Sequence, residues 1–140
     1  MSSIEFEFDH VGIAVNSLQD SSRFYEALGV ARGSKEVVES EKVQVQMFDL
    51  KNNCRVELLE ATSPESVVAK FLQKRGPGIH HICLRVSDIR ATLKKLKSAG
   101  VRLIHDQPIR GAHNCDVAFI HPSATGGVLI ELSQQDVRKF

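Results

Sequence analysis

Several absences narrow what this chain can be. No apolar stretch approaches the roughly 18 residues that a membrane-spanning helix requires. The 18 Lys and Arg are offset by 17 Asp and Glu, a net charge of +1, so there is no basic block for a nucleic acid or an anionic membrane. The densest basic run, Lys94-Lys95-Leu96-Lys97, reads as the wet face of a helix. The 3 cysteines, Cys54, Cys83 and Cys115, are odd in number and lack redox or metal spacing, so a reduced, cytoplasmic protein is expected. Residues 1–8 enter a strand-like pattern at once, which leaves no room there for a signal or transit peptide. A glycine-rich phosphate loop, a G-x-S-x-G elbow and a C-x-x-C pair are all missing, which excludes nucleotide cradles, serine-hydrolase elbows and dithiol redox motifs. No polar linker divides the chain, so residues 1–140 are expected to form a single domain.

What is present is a duplication. Asp9-His10-Val11-Gly12-Ile13-Ala14-Val15 is echoed by His80-His81-Ile82-Cys83-Leu84-Arg85-Val86. One step of 71 residues carries His10 onto His81 and Gly29 onto Gly100. Later, Val56-Glu57-Leu58-Leu59 returns as Ile130-Glu131-Leu132-Ser133 after a step of 74. Each half therefore carries one histidine early and one glutamate late. A pseudo-two-fold between such halves brings two His and two Glu towards one axis.

The periodicity predicts the elements. Residues 7–15 alternate, with Phe8, His10, Gly12 and Ala14 on one face and Val11, Ile13 and Val15 on the other, as in a half-buried strand. Ser17 then opens a helix carrying Phe24, Tyr25 and Leu28 and ending at Gly29. In the second copy Ser87 or Asp88 caps a helix with an Ile89, Leu93, Leu96 stripe that runs to Gly100. Both helices are expected on the Val/Ile side of their strands, leaving the histidine side open. Residues 43–48 and 55–59 form a hairpin around Lys51-Asn52-Asn53. Residues 116–120 and 128–132 form another, turning through Pro122 and Gly126-Gly127. The half-units span about 6–60 and 78–134. A helix at about 64–75, with Pro64 at its first position, joins them.

A glutamate within an apolar strand needs a partner, because a buried unpaired carboxylate is costly. For Glu131 and Glu57 the choices are a divalent metal, solvent, or an arginine such as Arg85 or Arg55. Imidazole with carboxylate suits Zn, Co, Ni, Fe or Mn. Adjacent strand residues point to opposite faces, so His80 and His81 cannot both enter one cavity. The repeat selects His81, the counterpart of His10. Gly12 and Ala14, small and on the His10 face, suggest space for a ligand. Gln44 and Gln46 share a face of the hairpin beside the Glu57 strand, either supplying hydrogen bonds or a neutral oxygen ligand, or simply solvated. His105, His113 and His121 fall in loops or at strand ends, outside the repeat.

Paired β-α-β-β-β units with His and Glu at these positions resemble the vicinal oxygen chelate superfamily, which includes glyoxalase I. Within it the chain is most similar to the methylmalonyl-CoA epimerase family. The stretches that carry the likeness are 9–15, 56–60, 68–72, 78–82, Gly111-Ala112-His113, and 119–131 with His121-Pro122 and Gly126-Gly127. The likeness extends from about residue 7 to 134.

The resemblance implies an α+β fold of two tandem β-α-β-β-β units, related by a pseudo-two-fold, that form a curved mixed sheet around a metal site. It implies a divalent metal, Co2+ first, with Zn2+, Ni2+ or Mn2+ as alternatives, held by His10, His81, Glu131 and Glu57. The implied substrate is a coenzyme A thioester, contacted by Gln44, Gln46 and His113, and the implied assembly is a homodimer. The implied reaction interconverts the two C2 epimers of methylmalonyl-CoA through a metal-stabilised enolate, with Glu131 and Glu57 as candidate proton-handling groups. Some family members place a glutamate on the strand before the Glu57 strand as a second base. Here residues 43–48 hold no carboxylate, and glutamine is not a base, so the second proton-handling group is open. Alternatives are a glyoxalase I-type lactoylglutathione lyase and a non-catalytic ligand-binding member of the superfamily.

Overall fold

A computed structural model describes residues 4–135; residues 1–3, part of the stretch read as leading into the first strand, lie outside them. In chain order the elements are β1 (Phe6–Ala14), α1 (Leu18–Leu28), β2 (Arg32–Val38), β3 (Val43–Asp49), β4 (Arg55–Ala61), α2 (Val67–Arg75), β5 (Gly78–Val86), α3 (Ile89–Ser98), β6 (Ile109–Arg110), β7 (Cys115–Ile120) and β8 (Ile130–Gln135). They form two compact units. One is His10–His80; the other joins the residues up to Asp9 with those from His81 onward. The packing boundary thus falls inside β1, between Asp9 and His10.

In the His10–His80 unit the strand order is β2-β3-β4-β1. β1 runs parallel to β4, with Gly12 opposite Glu57, and β3 is antiparallel to β4, with Met47 opposite Glu57. Paired residues share a face. One face therefore carries His10, Gly12, Ala14, Glu57, Leu59, Val45 and Met47, and the other Val11, Ile13, Leu58, Phe48, Gln44 and Gln46. As expected, α1 covers the second face: Leu18 and Tyr25 pack with Val11, Ile13, Phe48, Val56 and Leu58. Tyr25 also stacks on Phe48, ring centroids 4.8 Å apart.

The inward stripe of α1 differs from the expected one. Leu18 and Ser22 are buried, whereas Phe24 and Leu28 are 66% and 67% exposed. The stripe runs Leu18–Ser22–Tyr25, and small Ser22 leaves Phe24 and Leu28 on the outer side. Ala14 also departs from expectation. It packs with Val43, Val45 and Leu59 against Val68 of α2, so this end of the histidine face is filled. α2 itself starts at Val67, later than the expected 64, because the Ser66 side chain caps it by accepting from the Val68 N–H. Residues 63–66 form a preceding turn closed by Ser66 N–H to Ser63 O.

In the other unit the order is β5-β8-β7-β6. β5 is parallel to β8 with Cys83 opposite Glu131, and β7 is antiparallel to β8 with Phe119 opposite Glu131. α3 buries Ile89 and Leu93 against Val86, Ala118, Ile120 and Leu132.

The duplication extends to the helix caps. Ser17 accepts from the Asp20 N–H and Asp88 from the Ala91 N–H. A second acceptor comes from each unit's last parallel strand: Glu60 Oε1 takes the Leu18 N–H and Gln134 Oε1 the Ile89 N–H, both at 2.8 Å. Each bond satisfies one of the amide donors that a helix start leaves orphaned.

Candidate active site

Each unit builds one histidine–glutamate pair. In the His10–His80 unit, β1 and β4 set His10 and Glu57 on one face, with His10 Nε2 3.5 Å from Glu57 Oε2 and both residues buried. In the other unit, β5 and β8 set His81 Nε2 3.3 Å from Glu131 Oε1, and Phe119 meets the His81 ring edge to face. The two strand registers are the same after the repeat steps: Gly12 opposite Glu57 becomes Cys83 opposite Glu131.

Arg85, one of the partners considered for Glu131, turns instead to Asp9, at 2.9 Å, and to Glu7. Its hydrogen bond to Glu7, together with the charges of Asp9 and Glu7, raises its pKa further against the opposing effect of burial. Cys83 Sγ lies 3.4 Å from Ser133 Oγ, fully buried beside Glu131. Cys54, Cys83 and Cys115 form no disulfide.

The two glutamines correct the sequence reading. Gln44 pairs with Glu60 and Gln46 with Leu58, so both lie on the α1 face, away from His10 and Glu57. Alternation tells which residues share a face, but loop length between β3 and β4 decides which face meets Glu57. One residue more or fewer in that loop would reverse the outcome. Gln46 is 2% exposed, and its Nε2 donates to Met47 O, Gly33 O and Ser34 O at 3.0, 3.1 and 3.3 Å. Its role is structural. A bulge sets Gly33 and Ser34 against the single residue Met47, and Gln46 binds the carbonyls of that bulge. Gly33 is required there, since a Cβ would come 2.9 Å from Met47 O.

The remaining histidines divide. His105 Nδ1 accepts from the Phe119 N–H and His121 Nδ1 from the Ser123 N–H; both hold loops. His113 is half-buried, in a turn with φ 58°. The turn follows Gly111, which lies so close to Val117 that a Cβ would meet its methyls at 2.8 Å. Val117 stands opposite Ser133, on the Glu131 face of β8, so this turn borders that face.

Sequence reasoning did not place Glu36, which pairs with Val45 across β2–β3 and so lies on the face of Glu57. The alternation of β2 was the available signal, but the strand's polar composition obscured it.

A family model described as the glyoxalase/bleomycin resistance protein/dioxygenase superfamily matches residues 9–119. The chain belongs to this superfamily. It is 38% identical to a mitochondrial methylmalonyl-CoA epimerase of Dictyostelium discoideum, over 92% of this chain and 78% of that protein. It is 39% identical to an ethylmalonyl-CoA/methylmalonyl-CoA epimerase of Cereibacter sphaeroides, over 90% of this chain and 96% of that one. The crystal structure of a methylmalonyl-CoA epimerase from Mycobacterium tuberculosis superimposes with a TM-score of 0.89 at 37% identity, covering 94% of this chain and 89% of that chain. The fold is the vicinal oxygen chelate fold that the resemblance implied. Among the described residues no helix is long and apolar enough to cross a membrane.

Proposed function

We propose that this chain is a metal-dependent epimerase acting at C2 of methylmalonyl-CoA. The observation that carries the proposal is the doubled histidine–glutamate pair, His10 with Glu57 and His81 with Glu131, in a chain that matches epimerases over most of its length. Two imidazoles and two carboxylates are the donor chemistry of a divalent cation with borderline to hard character. The proposed metal ligands are His10, Glu57, His81 and Glu131, so His10→Ala and His81→Ala should each lose bound metal. A cation held by these groups supplies Lewis-acid stabilisation of negative charge on substrate oxygens, worth several kcal/mol.

The chain's own residues do the proton work. The C2 proton lies alpha to a thioester and a carboxylate, and it must leave one face of that carbon and return to the other. The Glu131 carboxylate is the proposed base for one face, a role that requires it to come within hydrogen-bond reach of the C2 proton. The His81 imidazole beside it orients that carboxylate. On the other pair, Glu57 orients His10 in the same way. His113, at the edge of the Glu131 face, is the side chain proposed to contact substrate. Co2+ is the proposed ion and the cytoplasm the proposed location. A homodimer is the proposed assembly, for which exposed Phe24 and Leu28 offer apolar surface.

The test is exchange of the C2 proton of methylmalonyl-CoA in heavy water, with cobalt added and then with chelator. Metal-dependent exchange that is lost in Glu131→Gln supports the reading. No exchange by folded, metal-loaded protein sinks it and directs attention to glutathione adducts.

A further inference from the structure

We infer that His105 is a positioning residue for the His81–Glu131 pair and acts on it through Phe119, an inference that rests on the epimerase reading above. These residues all belong to the same compact unit. His105 lies outside the repeat, and the chemistry proposed above does not use it.

The backbone of β7 shows why an imidazole stands there. The N–H and C=O of a strand residue point to the same side, and Phe119 turns both towards residues 104 and 105. Its carbonyl accepts from the Ile104 N–H at 2.9 Å and from the His105 N–H at 3.3 Å. In a continued antiparallel ladder its own N–H would go to the Ile104 carbonyl. It donates instead to His105 Nδ1, at 3.1 Å. The chain leaves the sheet after Ile104, and the imidazole supplies the acceptor at the point of departure. Because Nδ1 accepts, a neutral His105 carries its proton on Nε2. The outgoing segment is tied to α3 by Lys97 to Asp106 at 3.2 Å and by Arg90 to Gln107 at 2.9 Å.

With both backbone groups of Phe119 facing away from β8, Phe119 and Glu131 form the non-hydrogen-bonded kind of antiparallel pair, whose side chains stand closest. The Phe119 ring meets the His81 ring at 87°, centroids 5.9 Å apart, the edge-to-face arrangement that aromatic rings favour. Turning the imidazole about its Cβ–Cγ bond would break that contact and carry Nε2 away from Glu131 Oε1, 3.3 Å distant. Phe119 also meets the His105 ring, centroids 5.8 Å apart. Contacts therefore run from His105 through Phe119 to His81 and Glu131.

The His10–His80 unit has a counterpart. There the residue opposite Glu57 is Met47, and the Gln46 side chain donates to its carbonyl at 3.0 Å. In each unit a polar side chain thus fixes the backbone of the residue opposite the glutamate. The unit with Glu131, the proposed base, is the one that puts an aromatic ring at that position.

The experiment titrates Co2+ by visible absorption, then measures kcat and KM for C2 proton exchange at saturating Co2+. The variants are His105→Phe, His105→Asn, Phe119→Leu and the double variant of His105→Phe with Phe119→Leu, each checked for folding by urea denaturation. His105→Phe keeps a ring but loses the acceptor, whereas His105→Asn offers an amide oxygen in place of Nδ1. In His105→Phe and Phe119→Leu we expect Co2+ affinity to fall about 10–100-fold, the usual effect of losing a group that orients a metal ligand. In both, kcat should fall while KM changes little. His105→Asn should recover most of both losses. The double variant should be no worse than Phe119→Leu, because the two residues act in series. Undiminished Co2+ affinity and kcat in folded His105→Phe overturn the inference. So does a His105→Asn as impaired as His105→Phe, or a double variant that loses the product of the two single effects. Should His105→Phe fail to fold, NMR of the wild-type imidazole nitrogens decides: a proton on Nε2 of His105 supports the inference, and one on Nδ1 overturns it. A wild type that binds Co2+ without exchanging the C2 proton sinks the epimerase reading, and Co2+ affinity alone then judges His105. A wild type that binds no Co2+ overturns both.

Discussion

Replacing Gln46 by leucine separates a structural role for this residue from a substrate-binding one. The carboxamide has two N–H donors, shared among three carbonyls at 3.0–3.3 Å in a site that is 2% exposed. Two net hydrogen bonds are worth about 1 kcal/mol each, and the one fully buried contact, at Met47 O, leaves a carbonyl without this donor at about 1–3 kcal/mol. The leucine side chain returns about 1.5–3 kcal/mol through apolar burial. The balance is a loss centred on about 2 kcal/mol, a large share of the 5–15 kcal/mol typical of a domain. With a urea m-value of about 1–3 kcal/mol/M, the unfolding midpoint should fall by about 1 M or more with m unchanged. KM should change little, because Gln46 lies on the α1 face, away from His10 and Glu57. An unchanged midpoint with a raised KM would refute the argument and return Gln46 to the substrate.

Two further outcomes follow from the α1 packing. Tyr25 is the only tyrosine, and burial raises its pKa above 10.0. Between the unfolded and folded values the unfolded state has released a proton that the native state keeps, so stability is intact below about pH 10 and declines as pH rises through the native pKa. Alkaline titration of tyrosinate absorbance should show a midpoint above that of the protein in denaturant; equal midpoints contradict the burial. Ser22 is fully buried, and its Oγ has no hydrogen-bond partner among the described residues. Ser22→Ala removes that desolvated hydroxyl and improves helix propensity, so thermal or urea unfolding should show a gain of about 1 kcal/mol. A destabilised variant would mean that the hydroxyl is paired.

Much of the fold was legible because its signals are local. Ser17 and Asp88 cap where their side chains reach the next turn, and Gly29 ends α1 with φ 98°, a conformation open to glycine. Asn52 and Asn53 turn the β3–β4 hairpin with φ 63° and 59°, which asparagine tolerates better than most residues. The α1 stripe was misread because Phe24 and Leu28 follow helical spacing as well as Leu18 and Tyr25 do. Choosing between two apolar stripes depends on which one the sheet beneath can receive. The start of α2 was misread because Pro64 suits a first helical position, whereas Ser66 makes the cap.

The amino-acid sequence by itself determined the duplication: two strands with histidine, two with glutamate, and the same caps on the helices that follow. It also set which residues share a face, since alternation along a strand is a local property. Only the tertiary structure decided which face of β3 meets Glu57, which partner Gln46 takes, and that Glu36 joins the Glu57 face. Those outcomes depend on the phase between strands. That phase is set by loop length, a left-handed residue at a turn and a bulge held by a buried amide, none of which alternation along a single strand encodes.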